Sequence, residues 1–493
     1  MMYKLFIFIF YFAFILVLAK SFAFSQDITA NIKVSETSVF IEGKILTKDV
    51  GLNNKNWSFL ENYADADSLG VRISNFKLFD KNRQLIDYKQ LIAGEFASTA
   101  IAESFSYTVK TDIPEKLTSA AHVSWLTKTH GLLMFSDIFP QWQKSDKSQI
   151  SINISFVLPI GWRVFGNELK ESETRFLSKD LTKTIFLVGN NIREKRAWLG
   201  KNELNLAIIG DWNFSDDFAI QSASEILQEH RRIFGEYTDK KSQIFLMPFP
   251  KGDNTDNWRA ETRGTTVTIV SGVLPFKSLA EQRLNEQLRH ELFHFWLPNN
   301  LALSGNYDWF YEGYTIYQGL RSGLQLNQIR FEDYLNTISQ TYRSANNFEN
   351  GKLSLIEASQ SRWNTSTQTI YTKGLIVAFL CDLAILKESK GKKSLTDVFR
   401  QLWKKHKIPN RVEDGNVAIQ KMFEDFPETN EIIKNYVSGK SRLEFQNELS
   451  FFGLEYKKSE NKISVVENLD GKQKDLLDKL GYNQWRKLLE KQK

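Results

Sequence analysis

Between residues 26 and 202 the chain alternates apolar and polar side chains with a period of two. Ile28, Ala30, Ile32 and Val34 form one such run, and Ile150, Ile152, Ile154, Phe156 and Leu158 form another. The second run ends in Leu158-Pro-Ile-Gly-Trp162, which has the chemistry of a turn. A period of two puts alternate residues on opposite faces of a strand, so this stretch predicts an N-terminal β-sandwich domain over 26–202. The pattern then becomes mixed. Leu204–Ile209, Gln243–Met247 and Thr265–Val270 read as strands, and Asp216–Tyr237 reads as a helix. Leu284, Leu288, Leu292 and Phe295 recur at helical spacing, with Ser278-Leu-Ala-Glu281 ahead of them as a candidate capping box. The mixture predicts an α+β domain over 203–323. From 324 to 493 the pattern predicts a mainly helical domain. Within it, Leu375–Leu386 is apolar on nearly all sides, as a buried helix is. That run is short for a membrane span and contains Asp382.

The helix ending in this second region carries the candidate chemistry. Leu288-Arg-His-Glu-Leu-Phe-His294 places His290 and His294 four positions apart, about one helical turn. Two imidazoles on one helix face can grip a single zinc ion at roughly 2.0–2.1 Å. Glu291 lies between them and can reach a water on that ion, as a general base would. Glu312, in Trp309-Phe-Tyr-Glu-Gly313, follows His294 by 18 positions and offers a third ligand from a second helix. Three protein ligands leave a fourth position open, which is the pattern of a catalytic rather than a structural zinc site, with one zinc per chain.

Composition changes this picture little. Lys and Arg total 64 against 58 Asp and Glu, a net charge of +6 with no long basic run, so nothing points to nucleic acid. Aromatic residues make up 13%, which suits core packing and sandwich faces. Lys4, the apolar run Leu5–Ala19 and Ala23-Phe-Ser25 form a signal peptide over 1–25, with cleavage before Gln26. This predicts an exported protein, periplasmic or secreted, with membrane contact only if that segment stays uncleaved as an anchor. Cys381 is the single cysteine, so no intramolecular disulfide forms, and its apolar surroundings suit inert packing.

Beyond the zinc motif, the chain resembles a known family. HELFHFW, WFYEGYTIY and YTKGLIVAFLCDLAI, with Lys392-Lys-Ser-Leu-Thr-Asp397, Asn435-Tyr-Val-Ser-Gly439 and Phe452-Gly-Leu454 after them, are similar to the bacterial glycyl aminopeptidase family. That family is grouped with the thermolysin-like gluzincins, and the zinc motif is also similar to that of the aminopeptidase-N family. The resemblance implies a multidomain architecture: N-terminal β-sandwich, thermolysin-like α+β zinc peptidase domain and C-terminal α-helical domain. It implies zinc ligands His290, His294 and Glu312, a general base Glu291, a transition-state tyrosine Tyr371, and peptide or protein substrates. The aminopeptidase-N exopeptidase motif is absent, and Trp258-Arg-Ala-Glu-Thr-Arg-Gly-Thr265 stands in its place. Glu261 there would meet either a substrate amine or a cation in a surface salt bridge. The expectation is an exported zinc metallopeptidase, an aminopeptidase. An endopeptidase would use the same site. A non-catalytic envelope binding protein on a peptidase scaffold is the alternative from another class, although it would need no Glu291.

Overall fold

Ile28–Val34 is a strand whose four apolar residues are all buried, as the alternation predicts. It pairs antiparallel with Ser38–Ile45 and parallel with Ile152–Val157. The computed structural model describes residues 27–47, 55–142, 149–235, 240–252, 257–347, 353–445 and 448–484. The expected signal segment, 1–25, lies outside the described residues. The chain divides into two compact units, one ending at Asn191 and one beginning at Ile192.

The first unit is built of sheets. Eight strands, with Ile28–Val34 near the centre, form the largest. Arg163–Gly166, Ile185–Gly189, His130–Met134 and Trp125–Leu126 form a second, and Asn56–Ser58, Glu95–Ser98 and Tyr88–Ile92 form a third. All three contribute to one apolar core: Ile32 and Ile41 from the first, Leu133 and Phe186 from the second, Trp57 and Phe96 from the third. Aromatic residues fill it edge to face. Trp57 meets Phe76, Phe105 and Trp142 with ring centroids 5.4, 5.4 and 5.1 Å apart.

The second unit opens earlier than residue 203. Arg193–Leu199, expected in the sandwich, pairs residue for residue with Asn202–Ile208. The tight turn at Gly200 (φ 62°) makes a hairpin, and its pairing carries the strand into the second sheet. That sheet runs Arg193–Leu199, Asn202–Ile208, Lys241–Pro248, Thr266–Ser271, Trp258–Arg263, with the middle three strands parallel. The helix Asp216–Phe234 is capped by the Ser215 hydroxyl, which accepts from the Phe218 amide at 3.1 Å. It stops short of Tyr237, at Gly235 with φ 87°.

Two helical expectations need correction. The motif helix runs Lys277–Glu291 and has Phe276 at its cap with no side-chain bond, so the Ser278–Glu281 capping box does not form. Starting two residues earlier puts both Ser278 and Glu281 inside the helix, where Glu281 faces Lys277 at 3.7 Å. Nor do residues 203–323 and 324–493 keep separate cores. Leu288 and Leu292 share one apolar cluster with Phe379, Leu383 and Leu402. Its centre is the helix Thr367–Glu388, which begins well before Leu375. At 22 residues this helix is long and apolar enough to cross a membrane, so its length does not exclude a span. Its burial inside the unit marks it as a core helix. Asp382 is satisfied there by the Tyr317 hydroxyl at 2.6 Å and the Leu395 amide at 2.8 Å. Cys381 is fully buried, and burial pushes its thiol up to about 12, as inert packing requires.

Candidate metal centre

The two motif histidines do not share one regular helix. His290 lies in the last turn of Lys277–Glu291, and His294 lies in a tighter 3-10 turn, Leu292–Phe295. The tighter turn still brings the rings together, with Nε2 atoms 3.1 Å apart. His294 Nδ1 donates to the Leu297 carbonyl at 2.8 Å, which leaves Nε2 as the nitrogen with a free lone pair.

Glu312 arrives on the wide π-helical turn Trp309–Tyr314, which leads into the helix Thr315–Gln325. Its position is set by two glycines. A Cβ on Gly313 would lie 2.6 Å from the Gly374 Cα, and one on Gly374 would lie 2.9 Å from the Trp309 carbonyl oxygen. Only glycine permits so close a backbone approach. The glycines of WFYEG and YTKG therefore dock the Glu312 turn against the helix that carries Tyr371.

The ligand set fits a tetrahedral ion. Glu312 Oε2 lies 3.1 Å from His290 Nε2 and 3.8 Å from His294 Nε2. Atoms at 2.0–2.1 Å from a tetrahedral zinc lie about 3.3–3.4 Å from one another. His290, His294 and Glu312 are the group among the described residues with ligand atoms in mutual reach, all within 4.8 Å. His294 and Glu312 are buried, and His290 is nearly so.

The charged groups of the cluster shift one another. Burial pulls the His290 imidazole down, but the Glu312 hydrogen bond and the charges of Glu291 and Glu312 outweigh it and leave its pKa raised. Burial lowers His294. Burial would raise Glu312, but the Arg362 charge and the two histidines overrule it and hold its carboxyl well below the usual range.

Glu291 is buried beside the cluster, with Oε1 4.0 Å from His290 Nε2. Its Oε2 accepts from the Thr262 hydroxyl at 2.6 Å. Tyr371 lies in the first turns of Thr367–Glu388, its ring 6.4 Å from that of His290. Burial first, and the Glu312 charge second, raise the Tyr371 hydroxyl, so it keeps its proton.

Glu261 lies elsewhere. Ala260 packs on the unit's core and Thr262 reaches Glu291, so alternation turns Glu261 and Arg263 to the other face of the strand Trp258–Arg263. There Glu261 takes Arg263 as its partner, at 2.5 Å. Sequence reading missed Thr262, Asp308 and Arg362. Alternation in Trp258–Arg263, with Ala260 as the core-facing residue, was the available signal for Thr262. Asp308 directly precedes the WFYEG motif, and Arg362 follows Glu312 by fifty positions in a segment with no motif.

No protein-family model and no curated protein matches the sequence. Solved structures do. The chain is similar to an aminopeptidase N family protein from Idiomarina loihiensis, with TM-score 0.72 and 15% identity over 87% of this chain and 78% of that one. It is also similar to an M1 zinc metallopeptidase from Deinococcus radiodurans, with TM-score 0.54 and 11% identity over 85% of this chain and 94% of that one. A variant of that enzyme bound to a Tyr-Ser-Ala substrate gives TM-score 0.55 and 12% identity over 85% and 95% of the two chains. The chain thus has the multidomain α+β fold of zinc aminopeptidases.

Proposed function

We propose that this protein is an exported zinc metallopeptidase of the aminopeptidase-N kind, removing residues from the amino end of peptides. One observation carries the reading: three ligand atoms, from His290, His294 and Glu312, converge within 4.8 Å beside the Glu291 carboxylate. The variant of the Deinococcus radiodurans enzyme is bound to a Tyr-Ser-Ala substrate, which supports a peptide substrate here. Export rests on the 1–25 segment of the sequence.

Zinc held by the three residues would make hydroxide available from a bound water near neutral pH and polarise the scissile carbonyl. Glu291 accepts the proton of the attacking water. Thr262 occupies Oε2, so Oε1, the oxygen turned to His290, is the accepting atom. The same oxygen then returns the proton to the leaving amine. Tyr371, kept protonated by its burial, donates to the oxyanion that forms. The Leu297 carbonyl holds the His294 ring in the tautomer that presents Nε2.

An endopeptidase with the same machinery is the second reading. It is favoured by the position of Glu261, whose carboxylate is engaged with Arg263 on the far face of its strand. Purified protein should carry about one zinc per chain and cleave unblocked peptides such as Tyr-Ser-Ala. Equal cleavage of N-acetylated peptides would decide for the endopeptidase. A zinc-free protein inert on every peptide would end both readings.

A further inference from the structure

One guanidinium ties together the third ligand and the tyrosine. Arg362 Nη2 lies 2.9 Å from Glu312 Oε1 and donates to the Tyr371 hydroxyl oxygen at 3.0 Å. Its Nη1 donates to Asp308 Oδ1 at 3.0 Å and to the Tyr311 hydroxyl at 3.2 Å. Tyr311 in turn donates to Asp308 at 2.6 Å. The Arg362 side chain is 15% exposed, and Glu312 and Asp308 are buried, so these bonds form away from bulk water.

Two consequences follow from which atoms are engaged. Arg362 occupies Glu312 Oε1, so Oε2 is the oxygen left for the histidine cluster. Arg362 also donates to the oxygen of the Tyr371 hydroxyl, whose own proton is directed at Glu312, so the guanidinium sets the direction in which that hydroxyl donates. A planar fork can reach both acceptors and the Asp308 anchor at once, whereas an ammonium is a single point of charge.

We propose that Arg362, anchored by Asp308, is a positioning residue of this site: it fixes Glu312 to present one oxygen to a metal and orients Tyr371 to donate. The inference rests on the zinc-site reading above. Charge alone makes the opposite forecast, because removing a cation beside a divalent ion should tighten its binding.

The test uses the full chain stripped of metal, with zinc affinity read by competition against a chromogenic chelator. Hydrolysis of Tyr-Ser-Ala is followed in parallel. Arg362→Lys keeps the charge and loses the fork. It should bind zinc about 10–100-fold more weakly, and kcat should fall while KM changes little. Arg362→Ala should behave likewise and regain part of both properties when guanidinium ion is added at millimolar concentration. Asp308→Asn should weaken zinc binding in the same direction through loss of the anchor. Wild-type zinc affinity in Arg362→Lys overturns the proposal, as does tighter binding in Arg362→Ala without rescue. If Arg362→Ala does not fold, the lysine variant decides. A wild-type chain that binds no zinc overturns both the inference and the reading beneath it, whereas normal zinc binding indifferent to residue 362 overturns the inference alone.

Discussion

Each unit of this protein buries a carboxylate against an arginine, and the two carboxylates differ in kind. In the first unit Asp137 accepts from the Ser124 amide at 2.7 Å and the Ser124 hydroxyl at 2.5 Å, and pairs with Arg72 at 3.1 Å. Every neighbour is a donor, so the group is closed and structural. In the second unit Glu312 has Arg362 on one oxygen, while its other oxygen faces two imidazole nitrogens. Three acceptor atoms crowded together are repulsive unless a proton or a cation sits among them. Burial and an arginine partner therefore do not mark a functional carboxylate; convergence with other lone pairs does.

The contrast can be broken most severely at the ligands. His294→Ala should remove most of the bound zinc and with it nearly all turnover, because two ligands rarely hold zinc. Metal analysis of the purified variant checks this, and full occupancy would mean the ligands are misassigned. Glu291→Gln comes next. It is nearly isosteric, so zinc should stay while kcat drops by about 10²–10⁴-fold. Wild-type turnover would remove Glu291 from the chemistry. Tyr371→Phe should lower kcat and kcat/KM together by about 10²–10³-fold with KM nearly unchanged. If instead the melting temperature falls and kcat per folded molecule holds, the tyrosine is structural.

The two remaining predictions concern stability. Asp137→Ala should cost about 1–3 kcal/mol, since it leaves the buried Ser124 amide without its acceptor while Arg72 keeps the Leu69, Ser124 and residue-137 carbonyls, yet leave zinc stoichiometry untouched. Loss of zinc in that variant would erase the distinction between the two carboxylates. Gly374→Ala should cost about 1–3 kcal/mol by forcing the tyrosine helix away from the Glu312 turn. It should also weaken zinc binding, measured on the same preparation. A variant as stable as wild type would mean the close approach at Gly313 is not needed.

Much of this was legible in the residue order. The alternation at Ile28–Val34 and Ile152–Val157 marked the strands of the first unit, because a half-buried strand has no other way to present one face to a core. His290, Glu291 and His294 were legible because four residues of continuous chain set their separation whether the turn is α-helical or 3-10. Glu312 was legible from the motif around it. Tyr371 was legible through resemblance alone, since a tyrosine entering a buried helix looks like any core residue.

What could not be read depends on segments meeting in space. Which neighbour on Trp258–Arg263 faces the site, Glu261 or Thr262, depends on how the strand's faces are packed, and one residue reverses the answer. Arg193–Leu199 joined the second unit because its hairpin partner lies there, a preference no composition shift announces. The separate helical domain vanished because Thr367–Glu388 is apolar on all sides and needs cover from both halves of the unit. Arg362 is the furthest case. Short-range geometry ties His290 to His294, but nothing local ties Arg362 to Glu312. Their contact exists only because packing around Gly313 and Gly374 brings two helical segments together, and side chains distant in the chain meet through such packing rather than through any spacing in it.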